Sequence, residues 1–270
     1  MTDKAVILAR GLGTRMRQQD ERVALTAAQA AVAETGVKAL VPIDRPFLDY
    51  VLHVLAEAGY RRICLVIGPE HEDLRSYYGR QLTYERLEVS FAVQEEPLGT
   101  ANAVAAAEAF AAGDPFLMIN SDNYYPVEAV AALRQLEGPG LAAFERDSML
   151  AASNIPAERI TRFAVVEVDG DSRLRRIIEK PSPEVIARLP EPVSISMNCW
   201  RFEAAIFRAC AAIKPSERGE LEITDAVQYA IDALGQRFTV LPFHAAVLDL
   251  TSRTDVGAVA ERLAGKPVRL

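Results

Sequence analysis

Only three cysteines occur in 270 residues, Cys64, Cys199 and Cys210, and no Cys-x-x-Cys pair is present. An odd, widely spaced set excludes a disulfide framework. Each lies in an apolar segment, so reduced, structural thiols are expected. The three histidines, His53, His71 and His244, lack metal-ligand spacing and supply no catalytic candidate. No apolar run is long enough to cross a bilayer, and the opening Met1-Thr-Asp-Lys4 lacks a signal-peptide pattern. A cytoplasmic location with no membrane partner is therefore the expectation. Positive charge is also short: 30 Lys and Arg stand against 37 Asp and Glu, a net charge of −7. Bulk electrostatics thus argue against nucleic acid as a partner, and any polyanion site must be built locally. Internal repeats and low-complexity linkers are absent.

What is present is ordinary globular material, half hydrophobic and a quarter charged, long enough to bury a full core. Short apolar runs alternate with helical patterns. Lys4–Ala9, Ile63–Ile67, Val89–Val93 and Phe116–Asn120 read as buried strands. Pro46 to Ala58 reads as a helix with Phe47, Val51, Val54, Leu55 and Ala58 on one stripe, stopped by Gly59. Thr100 is placed to cap an alanine-rich helix that runs to about Ala112. This alternation implies an α/β fold with a mainly parallel sheet, with ligands gathered at the carboxyl ends of its strands. After about Leu141 the rhythm changes. Phe163–Val168 and Leu174–Glu179 read as a hairpin around Asp169-Gly-Asp171, and Ser194–Phe202 as another strand. One domain is expected: residues 1–140 form the first half, 141–250 an α+β insert beside the first sheet, and 251–270 a closing helix.

The informative stretch is Leu8-Ala-Arg-Gly-Leu-Gly-Thr-Arg-Met16, where the first strand breaks into two glycines one residue apart. Such a bare turn lets backbone N–H groups approach an anion. It is not a P-loop, because no lysine follows Gly13 in the required place, and Met16 stands where a dinucleotide fingerprint needs a third glycine. With Thr14-Arg15 it resembles the signature of the sugar-1-phosphate nucleotidylyltransferases, the group that includes glucose-1-phosphate thymidylyltransferases and N-acetylglucosamine-1-phosphate uridylyltransferases. Further matches follow in order: Lys38-Ala-Leu-Val-Pro-Ile43 with Arg45-Pro46, Gln94-Glu-Glu-Pro-Leu-Gly-Thr-Ala101, Ser121-Asp-Asn123, Glu179-Lys-Pro181, Gly219-Glu-Leu-Glu-Ile-Thr-Asp225 and Val247-Leu-Asp249. The resemblance spans nearly the whole chain and implies a Rossmann-like three-layer fold with a mixed, mainly parallel central sheet, in which residues 1–140 mainly bind nucleotide and 141–250 mainly bind sugar.

The activity it implies joins a sugar 1-phosphate to a nucleoside triphosphate with loss of pyrophosphate. The attacking phosphate oxygen is already an anion, so no general base is needed. Positioning and charge stabilisation must carry the catalysis. The resemblance assigns Asp122 and Asp249 to Mg²⁺, which suits one or two carboxylates plus phosphate oxygens and water. It assigns Arg15 and Lys38 to the triphosphate, Lys180 to the sugar phosphate and Glu179 to sugar hydroxyls. Leu8, Ala9, Gly11, Gly13, Thr14, Gln94, Gly99 and Thr100 fall to the nucleotide. The Gln94 amide offers both a donor and an acceptor, which leaves uracil, thymine and guanine open. Thr224-Asp225 also reads as an ordinary helix start, with Thr224 as N-cap.

Several positions depart from the family pattern. Arg10 replaces a Gly or Ala, and such a cation could contact phosphate, reorder the ribose pocket or point away. The segment from Arg15 to Lys38 is more than twice the usual length and holds an extra helical pattern, Thr26–Glu34, closed by Gly36. A lid and a surface insertion are both compatible with it. Phe163-Ala164 replaces Tyr-Gly, and Asn198 stands where Gly is frequent and is the second sugar-binding candidate; Trp200 reads as core. An uncommon sugar or a cyclitol phosphate fits these changes. The alternatives are a non-catalytic regulatory subunit that binds nucleotide sugar and, disfavoured by the missing third glycine, a nicotinamide-dependent dehydrogenase. The chain ends before the acetyltransferase module that some relatives carry, and it leaves homo-oligomerisation open.

Overall fold

The computed structural model describes residues 1–20 and 22–270. Eleven strands form among them: β1 Lys4–Leu8, β2 Arg62–Ile67, β3 Glu88–Val93, β4 Phe116–Asn120, β5 Asn123–Tyr124, β6 Gly140–Glu145, β7 Ala164–Val168, β8 Leu174–Ile178, β9 Ser194–Phe202, β10 Thr239–Phe243 and β11 Leu248–Asp249. The main sheet runs β10-β6-β9-β4-β1-β2-β3, with the β7–β8 hairpin attached through β9. All neighbours along this path pair in parallel except β9, which lies antiparallel to both β4 and β6. The sheet is thus mixed and mostly parallel, as the alternating sequence pattern implies.

Continuous apolar runs form β1, β2, β4 and β6 because both faces of the sheet are covered there. Alternate residues of one strand enter different cores. Ile7, Leu65, Leu117 and Ile119 pack with the helices Phe47–Glu57, Val127–Gln135 and Arg253–Leu263. Val6, Cys64, Phe116 and Met118 pack on the other side with Thr100–Ala106, Ala205–Ala212 and Ile223–Asp232. The result is three layers. Cys64, Cys199 and Cys210 are free and buried, and burial pushes their thiols well above the ordinary value. Trp200 is a core residue, stacked on Phe202. Among the described residues no helix is long and apolar enough to cross a membrane.

Chain order places the site. From β1 the chain moves outward to β2 and β3, then crosses back to β4 on the other side of β1. The carboxyl ends of β1 and β4 therefore flank a switch point, where loops part and leave a crevice. Both Leu8-Ala9-Arg10 and Ser121-Asp122 emerge there, and the Ser121 N–H donates to the Leu8 carbonyl at 3.1 Å.

Candidate active site

At this edge a cavity of about 370 Å³ opens. Its wall includes Leu8, Ala9, Gly11, Gly13, Thr14, Arg15, Lys38, Gln94, Gly99, Thr100 and Asp122. Four distant segments of sequence therefore meet around one space. Asp249, Glu179, Lys180 and Asn198 are not part of that wall.

The glycine turn has a defined shape. Gly13 is left-handed (φ 61°) and precedes the short helix Thr14–Arg17. A Cβ there would lie 2.1 Å from the Gly36 carbonyl oxygen, whereas one on Gly11 would meet nothing within 4 Å. Gly13 is thus required by packing, and Gly11 keeps the cavity wall bare. Gly36 closes the inserted helix Ala27–Thr35, whose start carries a reciprocal Thr26/Gln29 cap. Arg17 donates from Nε and Nη2 to the Thr35 carbonyl, at 3.1 and 2.8 Å. The insertion is therefore docked on the turn itself.

Asp122 and Asp249 meet through the small antiparallel ribbon of β5 and β11. Asp249 pairs with Asn123, and the Leu250 N–H donates to the Asp122 carbonyl at 2.8 Å. Lys38 Nζ sits 2.6 Å from Asp122 Oδ2. Asp249 is only 4% exposed. Its Oδ2 accepts from the Asn123 amide at 3.1 Å, and Asn154 brackets its backbone, accepting from its N–H at 2.9 Å and donating to its carbonyl at 2.8 Å. Burial, then repulsion from Asp122, pushes the Asp249 carboxyl above the usual carboxylate range, while the Arg159 charge opposes this. Oδ1 of Asp249 is buried without a hydrogen-bond donor. No group of three or more His, Cys, Asp and Glu side chains placed to hold a metal ion occurs among the described residues. An orphan carboxylate oxygen beside a second carboxylate fits a hard divalent cation completed by phosphate oxygens and water.

Gln94 is buried, and its Nε2 donates to the Gly99 carbonyl at 3.0 Å and to Asn102 Oδ1 at 2.8 Å. The Gly99 oxygen can only accept, which fixes the amide orientation. Both Gln94 donors are consumed internally, and its oxygen is left to accept. The Arg10 side chain, 8% exposed, holds the Glu70 carboxylate with Nε and Nη2, at 3.2 and 3.3 Å, and Nη1 donates to the Gln94 carbonyl. Arg10 also lines the cavity, and its bond to the Gln94 carbonyl braces the end of β3.

Two helix-start assignments need correction. Thr100 does not cap its own helix: Gly99 occupies the N-cap, and the Thr100 hydroxyl accepts from the Ile223 N–H at 2.8 Å. Thr224 is not an N-cap either. Glu222 holds that place, and Thr224 Oγ1 is buried without a partner. Both arise because Gly99-Thr100 and Leu221-Ile223 lie against each other. Leu221 donates to the Leu98 carbonyl at 2.7 Å and accepts from Ala101 at 2.8 Å, and a Cβ on Gly99 would fall 2.5 Å from the Leu221 oxygen. Thr100→Val is expected to lower stability by about 1 kcal/mol, the scale of a lost helix cap, read as an earlier urea midpoint with unchanged slope. An unchanged midpoint would contradict this tie.

Toward the β7–β8 side, Glu179 and Lys180 follow β8 and are exposed, and Lys180 is left-handed (φ 44°) before Pro181. Glu179 is open on one side. The protein packed around its carboxyl, with the nearby charges of Glu222 and Asp225, raises its pKa. Arg218, absent from the candidates, pairs with Glu222 in this acidic group. Asn198 is left-handed (φ 55°) beside a register shift between β6 and β9. Asparagine is among the few residues other than glycine that accept this conformation readily. Its Oδ1 accepts from the Trp200 indole at 3.3 Å. Arg159 is a further residue that no motif announced: its guanidinium lies 3.2 Å from Asp249.

Known proteins share both sequence and fold. Glucose-1-phosphate thymidylyltransferase of Streptomyces griseus is 32% identical over 231 residues, covering 85% of this chain and 58% of that protein. The low-salt glycan biosynthesis nucleotidyltransferase Agl11 of Haloferax volcanii is 31% identical over 243 residues, covering 85% and 59%. The chain thus spans somewhat over half the length of these relatives. A solved UDP-glucose pyrophosphorylase, complexed with UDP-glucose, superposes with a TM-score of 0.76 at 20% identity, covering 99% of this chain and all of that one. The nucleotidyl transferase family model matches residues 4–246, and the chain belongs to that family.

Proposed function

We propose that this chain transfers a nucleoside monophosphate from a nucleoside triphosphate to a sugar 1-phosphate, giving a nucleotide sugar and pyrophosphate. The observation that carries this reading is the meeting of the glycine turn, Arg15, Lys38 and Asp122 around one cavity, with the Asp249 carboxylate beside it. The names of its relatives agree with it. A sugar-phosphate oxygen bonds to the α-phosphorus as the bond from that phosphorus to the pyrophosphate oxygen breaks.

The exposed Arg15 fork reaches β- and γ-phosphate oxygens and stabilises charge on the leaving pyrophosphate. Lys38, paired with Asp122 in the free protein, turns to phosphate when nucleotide enters. Gly11, Gly13 and Thr14 bring bare backbone against the triphosphate. The Gln94 oxygen accepts a base N–H, which the imide of thymine or uracil and the N1–H of guanine all offer; the names of the relatives favour the first two. Lys180 holds the sugar phosphate, Glu179 accepts from sugar hydroxyls, and Asn198 stands in the strand that carries the sugar half. Asp122 and Asp249 would hold Mg²⁺, which when bound supplies charge neutralisation between the two phosphate-bearing substrates.

The test is a grid of nucleoside triphosphates against sugar 1-phosphates, scored by pyrophosphate release with Mg²⁺. Turnover with thymidine or uridine triphosphate and a hexose 1-phosphate is the expected outcome. No pyrophosphate from any pair, with nucleotide sugar still bound, would instead establish a non-catalytic binding subunit.

A further inference from the structure

We infer that Arg159 is a positioning residue for the metal-binding carboxylate Asp249, an inference that rests on the proposed nucleotidyl transfer. Its guanidinium bridges the two ends of the turn from β11 to the helix Arg253–Leu263. Nη1 and Nη2 donate to the two carboxylate oxygens of Asp255, at 3.0 and 2.9 Å, and Nη2 also lies 3.2 Å from Asp249 Oδ1. Asp255 is itself immobilised. Its Oδ2 accepts from the Thr251 N–H, the Ser252 N–H and the Ser252 hydroxyl, at 3.1, 2.7 and 2.8 Å. A rigid helix start therefore fixes Asp255, Asp255 fixes the guanidinium, and the charge so anchored stands 3.2 Å from Asp249 Oδ1.

Asp255 takes both parallel bonds of the Arg159 fork, so Asp249 Oδ1 meets the anchored guanidinium as an ion-pair contact and not as a hydrogen-bond acceptor. Asn123 holds Oδ2, and Arg159 stands beside Oδ1, the one carboxylate oxygen without a hydrogen bond. Side chains that orient a ligating carboxylate in this way typically contribute 10- to 100-fold to metal affinity. Lysine cannot reproduce the effect, since an ammonium lacks the fork that spans two carboxylates.

The test measures Mn²⁺ binding to the folded full chain by water-proton relaxation, with a nucleoside triphosphate present and no sugar phosphate. The parent protein, Arg159→Met, Arg159→Lys, Asp122→Ala and the distant exposed Arg61→Met are compared. Arg159→Met is expected to weaken Mn²⁺ by tenfold or more, and Arg159→Lys by several-fold, while Arg61→Met leaves it unchanged. In turnover the apparent constant for Mg²⁺ should rise in the same order, with the triphosphate KM at saturating Mg²⁺ little changed. Should Arg159→Met fail to fold, Arg159→Lys decides alone. Parental Mn²⁺ affinity in a folded Arg159 variant would overturn the positioning role. Parental affinity in Asp122→Ala would instead overturn the underlying site.

Discussion

Asp122→Asn lowers the rate of pyrophosphate release by about 10³-fold or more and leaves the fold intact. The isosteric amide keeps the volume at the carboxyl end of β4 but removes the charge facing the cavity. A divalent ion supplies several kcal/mol of charge stabilisation in such transfers, and about 1.4 kcal/mol corresponds to tenfold in rate. Lys38 loses its partner too. Both side chains line the open cavity, where water reaches the unpaired Lys38 ammonium, so the fold is kept. The comparison is between initial rates and thermal melts of both proteins. A variant within tenfold of the parent rate would remove Asp122 from the metal site.

Gly13→Ala is expected to damage fold and turnover together, whereas Gly11→Ala damages turnover alone. At Gly13 the φ of 61° costs an alanine about 1 kcal/mol or more. Its Cβ would also stand 2.1 Å from the Gly36 oxygen and 2.6 Å from the Gly36 Cα. Both are backbone atoms of the docked insertion, so no side chain can swing aside. The turn must shift by an ångström or more, which displaces Thr14 and Arg15 from the phosphates they are proposed to meet. Displacements of that size cost on the order of 10²-fold in rate. At Gly11 a methyl meets only open space and intrudes on the ligand. Thermal melts and pyrophosphate release on the two variants separate the effects. Equal melting temperatures for Gly13→Ala and the parent would contradict the packing of turn against insertion.

The central strands were legible because their residues are buried on both faces, giving apolar runs such as Phe116–Asn120, whose limits coincide with β4; Ser194–Phe202, broken by Ser196, Asn198 and Arg201, still matches β9 in its limits. The inserted helix was legible through local chemistry, a threonine cap at one end and Gly36 at the other. What sequence could not show depends on partners far along the chain. Thr100 looks like a cap, yet its hydroxyl serves Ile223. Arg10 departs from the family pattern, but only the fold brings Glu70 and the Gln94 carbonyl to it. Arg159 sits on a four-residue helix, Ala157–Ile160, with no motif around it. Asn198 could be flagged as a replaced glycine, and its left-handed backbone supplies the physical reason for that preference.

The proposed transfer requires Asp122 and Asp249 to share one divalent ion next to the glycine turn. Crystals grown with Mn²⁺ and a nucleoside triphosphate give the most direct test, through an anomalous difference map. A single strong peak about 2.1 Å from an oxygen of each carboxylate and touching triphosphate oxygens is the expected result. A nucleotide seated in the cavity with its Mn²⁺ bound away from both carboxylates would contradict it.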